Sequence, residues 1–173
     1  MTDIVASQYD SLARVTAWLA RFRGNRDIDS LCMHKQLLPP ATSRAAMRPG
    51  PGQTALNDFI ARRVAAEQPA SVLDLGCGFG STIAALARRH RAAYLGVANS
   101  PLSLKIGRST LPEDYEGSRI RLATADLNTP DELGCFDLIL AVESLAYAED
   151  LEATVTRIHT ALNPGGQIGR AHV

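Results

Sequence analysis

The chain has 173 residues, 46% hydrophobic and 21% charged, a composition that suits one globular domain with a core of its own. Its 18 Lys and Arg balance its 18 Asp and Glu, so it carries no electrostatic footprint for nucleic acid or for a membrane surface. Cys32, Cys77 and Cys135 are scattered without metal-ligand spacing, no apolar run is long enough to span a bilayer, and the N-terminus lacks a signal peptide's apolar core, so a cytoplasmic protein is expected.

Tyr9, Leu12, Thr16, Leu19 and Phe22 recur at helical spacing, with Trp18 alongside, and predict a helix from Val5 to Arg23 ended by Gly24-Asn25. Gly24 to Ser30 reads as a polar loop, and Leu31 to Leu38 as a short helix stopped by Pro39-Pro40. Arg48-Pro-Gly-Pro-Gly52 reads as a linker. Leu56, Phe59, Ile60 and Val64 then mark a second helix that closes before Pro69. Within this third of the chain Tyr9 and His34 are open to facing a substrate pocket, but Tyr9 reads better as a core-edge tyrosine and His34 as a surface histidine. The Met33-His34-Lys35 cluster matches no motif.

The stretch Ser71 to Ser81 reads Ser-Val-Leu-Asp-Leu-Gly-Cys-Gly-Phe-Gly-Ser. Val72, Leu73 and Leu75 have the apolar density of a strand buried on both faces of a parallel sheet. Gly76, Gly78 and Gly80 turn the chain, and Ser81 is placed to cap a helix through Ile83, Leu86 and Ala87. Glycines there allow a ligand close to the backbone, and the N–H groups at the helix start can meet its polar atoms. A bare glycine turn without ligand and a nicotinamide dinucleotide site are the two other readings. Against the second stand the glycine spacing and Asp74, whose carboxylate suits an ammonium group and repels a pyrophosphate.

Beyond the turn, Arg88 to Arg91 makes a basic helix end, and Ala93-Tyr-Leu-Gly-Val97 is the next strand. Ser100 and Pro101 read as the cap and first residue of a helix whose apolar face holds Leu102 and Ile106. Gly117 punctuates before a third strand, Ile120 to Thr124, with Asp126-Leu127 at its carboxyl end. Phe136 to Val142 is a fourth strand and the most apolar. Leu151, Val155, Ile158 and Leu162 outline an amphipathic helix that Asn163-Pro-Gly-Gly166 ends. Repeated strand–helix alternation predicts an α/β fold, a doubly wound parallel sheet with N-terminal helices. Ligands of such sheets bind beyond the carboxyl ends of the strands. Asp74, Asn99, Asp126 and Glu143 all fall at such ends.

From Gln53 to Gly166 the chain resembles class I S-adenosylmethionine-dependent methyltransferases, through its Asp-x-Gly-x-Gly-x-Gly run and the order of segments around it. The resemblance implies a Rossmann-like fold, S-adenosylmethionine as cofactor and methyl transfer to a small molecule. It implies that Gly76, Cys77 and Gly78 pass under the methionine part of the cofactor and that Asp74 organises its amino group. The acid that usually binds the ribose is absent, since Ala98 stands there, and Asn99 and Ser100 are its substitutes, without charge assistance. Asp126 matches the acceptor for the adenine amino group, with Leu127 beside the ring; a turn cap is the plainer role for Asp126. Val142-Glu-Ser-Leu-Ala-Tyr147 matches the family's E-S-L-x-H motif, which makes Glu143 and Tyr147 the catalytic candidates. Tyrosine, with an unperturbed pKa of about 10, is a poorer base than the usual histidine. A non-catalytic cofactor-binding protein or partner subunit is the alternative.

In that family Asn-Pro-Gly-Gly166 introduces a further strand, whereas here Gln167 to Val173 follows with no apolar run. Residues 1–52 are therefore read as a helical cap and linker, 53–167 as a partial cofactor-binding domain, and 168–173 as a non-native tail. The expected consequence is an open edge at Phe136 to Val142, with poor expression or self-association, and an inactive fragment.

Overall fold

The computed structural model describes residues 2–22, 31, 51–111 and 119–171. At its centre is a five-stranded sheet in the order β3-β2-β1-β4-β5. The strands are β1 Ser71–Leu75, β2 Ala93–Ala98, β3 Arg119–Thr124, β4 Phe136–Val142 and β5 Leu162–Ala171. Every pairing is parallel. The helices are α1 Thr2–Phe22, α2 Pro51–Glu67, α3 Ser81–Ala87, α4 Pro101–Thr110 and α5 Leu151–Thr160. This is the Rossmann-like, doubly wound α/β architecture that the alternation predicts.

Alternating side chains of β1 build both layers. Val72 joins a buried cluster with Leu56, Ile60 and Val64 of α2 and Ile83 and Leu86 of α3. Leu73 and Leu75 face the other way, onto Leu95, Val97, Ile139 and Ile158 of α5. Each fully buried aliphatic side chain of this kind contributes roughly 1.5–3 kcal/mol. Below the sheet, Asp137 fastens β4 to β1: its Oδ2 accepts from Ala70 N at 2.8 Å and Ser71 N at 2.9 Å, and its own N–H donates to Ser71 Oγ at 3.0 Å.

Several expectations shift. Helix α1 begins three residues before Val5 and ends at Phe22. Among its described side chains Ala13 is buried, whereas Leu12, Val15 and Trp18 are exposed, Trp18 by 61%. Among the described residues α1 packs chiefly against α4, so its apolar spacing does not report a sheet-facing stripe. The linker expected to run to Gly52 stops short of it, because Pro51 and Gly52 already form the first turn of α2. Phe59 lies off the buried stripe of α2, at 56% exposure. The cap of α3 is Gly80, at φ 87°, and Ser81 is the first helical residue. In α5 the buried positions are Thr154 and Ile158, while Leu151 and Val155 are exposed. Leu162 belongs to the following strand. Ser100 caps α4 as expected, accepting from Ser103 N at 3.1 Å, with Pro101 as first residue. The expected loop at 24–30, most of the short helix at 31–38, His34, most of the 48–52 linker and Gly117 lie outside the described residues.

The largest correction concerns β4, which is not an edge. Leu138 to Val142 pair with Gln167 to Ala171, and Asn163-Pro-Gly-Gly166 is an irregularity at the start of β5 and not a helix stop alone. Parallel pairing needs only backbone N–H and C=O groups, so the absence of an apolar run did not prevent a strand. The outer edge is β5 instead.

Candidate functional site

Strand order reverses between β1 and β4, since β2 and β3 lie on one side of β1 and β4 and β5 on the other. A crevice forms outside the carboxyl ends at such a point. Here it is a cleft of about 250 Å³. The expected residues meet in it. Asp74, Gly76, Cys77 and Gly78 come from the end of β1 and its turn, and Asn99 and Ser100 follow β2. Asp126 and Leu127 follow β3, and Glu143 and Tyr147 follow β4.

The β1 turn is built by alternating left-handed glycines: Gly76 at φ 80°, Gly78 at 56° and Gly80 at 87°. Gly76 N and Cys77 N both donate to Val97 O, at 2.8 and 2.9 Å, which pins the turn to the end of β2. A side chain at Gly76 would overlap Ser144. A Cβ at Gly107 of α4 would overlap the Phe79 carbonyl, so that glycine lets α4 seat directly on the turn. Asp74 is buried between β2 and β4, in register with Gly96 and Leu140. Burial, and secondarily the nearby Asp74 carboxylate, push the Cys77 thiol well above its usual range, so it stays neutral.

On the β2 rim the Ser100 hydroxyl is already engaged. It donates to Asp10 Oδ1 of α1 at 2.5 Å and accepts from Ser103 N. Asn99 beside it is half-buried at the cleft wall. On the β3 rim, Asp126 Oδ1 accepts from Asn128 N at 2.9 Å and Asn128 Nδ2 at 2.7 Å, so one carboxylate oxygen holds a turn. Asn128 Oδ1 in turn accepts from Glu149 N and Thr154 Oγ1, which ties the β3 rim to the start of α5.

On the β4 rim Glu143 sits at φ 56°, a left-handed conformation costly for a non-glycine residue and frequent at functional sites. Ser144 is buried beside it, and its Oγ meets no hydrogen-bond partner among the described residues. Tyr147, 52% exposed, stands at the cleft mouth. Its ring packs edge-on against Tyr9 of α1, with centroids 5.6 Å apart and planes at 78°. Burial first, then a hydrogen bond to Tyr147, hold the Tyr9 phenol far above the usual tyrosine range, so it keeps its proton. Tyr9 and Asp10, neighbours on one helix, thus reach opposite rims of the cleft.

Sequence reasoning preferred a core-edge place for Tyr9 over one facing substrate, and did not single out Asp10, Ser144 or Asn128; Tyr9 lines the cleft. Asn128 had a signal, because Asp126-Leu-Asn128 is an Asx-turn spacing. Ser144 had one too, as the serine of the E-S-L-x-H match, whereas Tyr9 and Asp10 are placed only by packing of distant segments. A cleft with a buried carboxylate, a glycine turn without side chains and a hydroxyl lacking a partner fits a ligand with a cationic group and several polar atoms. The cofactor implied by the resemblance is such a ligand. Among the described residues no group of His, Cys, Asp and Glu is arranged to hold a metal ion, and no helix is long and apolar enough to cross a membrane.

Comparison with known proteins agrees with this geometry. The methyltransferase domain family matches residues 72–166. The chain is 28% identical over 126 residues to an O-methyltransferase of Pyrenophora dematioidea, covering 72% of this chain and 41% of that protein. It is 27% identical over 103 residues to norajmaline N-methyltransferase of Rauvolfia serpentina, covering 59% and 35%. It is 37% identical over 106 residues to trans-aconitate 2-methyltransferase of Delftia acidovorans, covering 60% and 38%. The chain therefore spans less than half the length of these relatives. Among solved structures, the cyclase SpnF superposes with a TM-score of 0.75 at 24% identity, over 96% of this chain and 58% of that one, which shows the fold. The amino pentose methyltransferase CalS10 of Micromonospora echinaspora, solved with S-adenosylmethionine bound, superposes with a TM-score of 0.52 at 26% identity, over 66% and 48%. With more than half of its residues matched and the cleft at the expected switch point, the chain belongs to the methyltransferase domain family.

Proposed function

We propose that the chain binds S-adenosylmethionine in the switch-point cleft and belongs to a cytoplasmic enzyme that methylates a small molecule. The observation that carries this reading is the convergence of Asp74, the glycine turn, Asn99, Asp126 and Glu143 from four strand ends on one cleft. When bound, S-adenosylmethionine supplies a methyl group made electrophilic by its sulfonium, ready for in-line displacement. The protein's part is orientation and charge placement.

In this reading Asp74 takes the ammonium of the amino-acid end, over the backbone of Gly76, Cys77 and Gly78. Asn99 takes the ribose, and Ser100 holds that segment through its cap and its bond to Asp10. Asp126 accepts from the adenine amino group through the oxygen not committed to its turn, with Leu127 against the ring. Glu143 on the β4 wall and Tyr147 at the mouth orient the acceptor. The protonated Tyr9 is not a base at neutral pH, so proton removal, where an acceptor needs it, falls to Glu143. Relatives named as O-, N- and C-methyltransferases support a small acceptor. The balanced charge supports one that is not a nucleic acid.

The test has two readouts, because the methyltransferase-like fold also occurs in a protein named as a cyclase. Calorimetric titration with S-adenosylhomocysteine reads the cleft, and saturable binding is expected. Transfer of a labelled methyl group to pooled small metabolites reads the chemistry. An absence of binding at millimolar ligand would defeat the cofactor assignment; binding without transfer would defeat only the enzymatic one.

A further inference from the structure

Ser144 has no part in the assignment above, yet its surroundings are unusual. It follows β4, is 6% exposed, and its Oγ is buried without a hydrogen-bond partner among the described residues. Buried hydroxyls are normally satisfied, and one left bare lowers stability. The side chain lies on the cleft wall and packs against Gly76, so closely that a Cβ on the glycine would overlap it. The left-handed turn at Glu143 brings the chain to that place. A strained residue followed by an unsatisfied one, both facing a cleft, describes a site whose cost is recovered when a ligand arrives.

The missing partner has definable chemistry. An amino-acid group carries an ammonium and a carboxylate. Asp74, on the adjacent strand, attracts the first and repels the second. The carboxylate needs a donor, and a serine hydroxyl is one. Resting on the cofactor reading above, we propose that Ser144 is a cofactor-binding residue whose hydroxyl donates to the carboxylate of the amino-acid end of S-adenosylmethionine. Asp74 and Ser144 then read the two charges of that end from β1 and β4, the two strands that flank the switch point.

The experiment compares S-adenosylhomocysteine with 5′-methylthioadenosine, which lacks the amino-acid end, on the 173-residue chain and on Ser144→Ala and Ser144→Cys. Both substitutions remove the strong donor, and the second keeps a heavy atom, though a larger one, in the hydroxyl's place. The expected result is about ten- to a hundredfold weaker binding of S-adenosylhomocysteine in both variants. Affinity for 5′-methylthioadenosine stays within about twofold of the original. The unfolding temperature without ligand stays the same or rises in Ser144→Ala, because an unsatisfied hydroxyl has been removed. Unchanged binding of S-adenosylhomocysteine, or equal weakening of both ligands, would overturn the assignment. If the unsubstituted chain binds neither ligand, the cofactor reading falls and this one with it. If it binds both and the variants do not discriminate, only the role of Ser144 falls.

Discussion

At the scale of single residues, two titrating side chains tie pH to folding. Tyr94 of β2 is buried and donates to the His90 carbonyl at 2.7 Å. Burial raises its phenol from 10.0 to about 12. The neutral form is the one the fold favours. Its contribution is therefore complete below the unfolded value and is lost as pH rises through the folded one. Two units correspond to roughly 2–3 kcal/mol. Tyr94→Phe is expected to lose about 1 kcal/mol at neutral pH with the hydrogen bond. It is also expected to flatten the fall in denaturation midpoint from about pH 10 to about 12. Parallel curves for the two proteins would refute this. Asp137 works in the opposite direction. The Asn163 amide, at 2.7 Å, and then the Ser71 and Ala70 contacts hold its carboxyl below the ordinary 3.8. The charged form is favoured by folding, so its contribution is present above the unfolded value and disappears as pH drops through the folded one. Asp137→Ala is expected to cost on the order of 1–2 kcal/mol at pH 7. Most of that difference should vanish in acid, which urea titrations at descending pH measure. Neither partnership was read beforehand: Asp137 reads simply as one polar residue in an apolar run, and its partners lie 66 and 67 residues earlier and 26 residues later in the chain.

At the scale of elements, apolar spacing marked every helix but fixed its buried face only in part: Phe59 of α2 and Leu151 and Val155 of α5 are exposed although both helices pack on the sheet. The stripe Leu56, Ile60 and Val64 in α2 is buried because α2 lies on the sheet beside α3. The periodicity of α1 is as clear, yet Val15 is exposed and Leu12 lines the cleft, because α1 lies against α4. Period reveals a helix but not the object it packs on. Ala13 seats α1 in an apolar cluster with Phe79 and Ala84, and two further contacts tie it to the rims: Asp10 to Ser100 on one, Tyr9 to Tyr147 on the other. Asp10→Ala is expected to free that side of α1 and raise the dissociation rate of S-adenosylhomocysteine by about tenfold, the worth of one charge-assisted hydrogen bond. Trp18, the chain's single tryptophan, lies on α1 and gives a fluorescence signal for stopped-flow measurement. A dissociation rate indistinguishable from the unsubstituted chain would show that α1 does not retain the ligand.

At the scale of the whole molecule, the two sheet edges differ. The β3 edge carries exposed Arg119 and Arg121, charges of the kind that discourage strand addition. The β5 edge exposes Gln167 and Ile168, with Leu151 and Val155 also uncovered on α5. Self-association is therefore expected through β5, where the open edge lies, and not through β4. Sedimentation velocity across a tenfold concentration range should show growing oligomers, and Ile168→Lys should suppress them. A monodisperse unsubstituted chain would contradict the edge argument.

The sequence alone determined the strand–helix alternation, the limits of the Phe136–Val142 strand, and that Asp74, Asn99, Asp126 and Glu143 meet at the cleft. These are local or near-local signals: apolar density, turn glycines, caps, and polar residues at strand ends. Tertiary structure alone decided that Leu162–Ala171 adds to the sheet, that Tyr9 and Asp10 reach opposite rims, and that Ser144 lies bare against Gly76. Each of those depends on which distant backbone or side chain comes within about 3–6 Å. Such a distance is set by how segments pack in space, and no spacing along the chain encodes it.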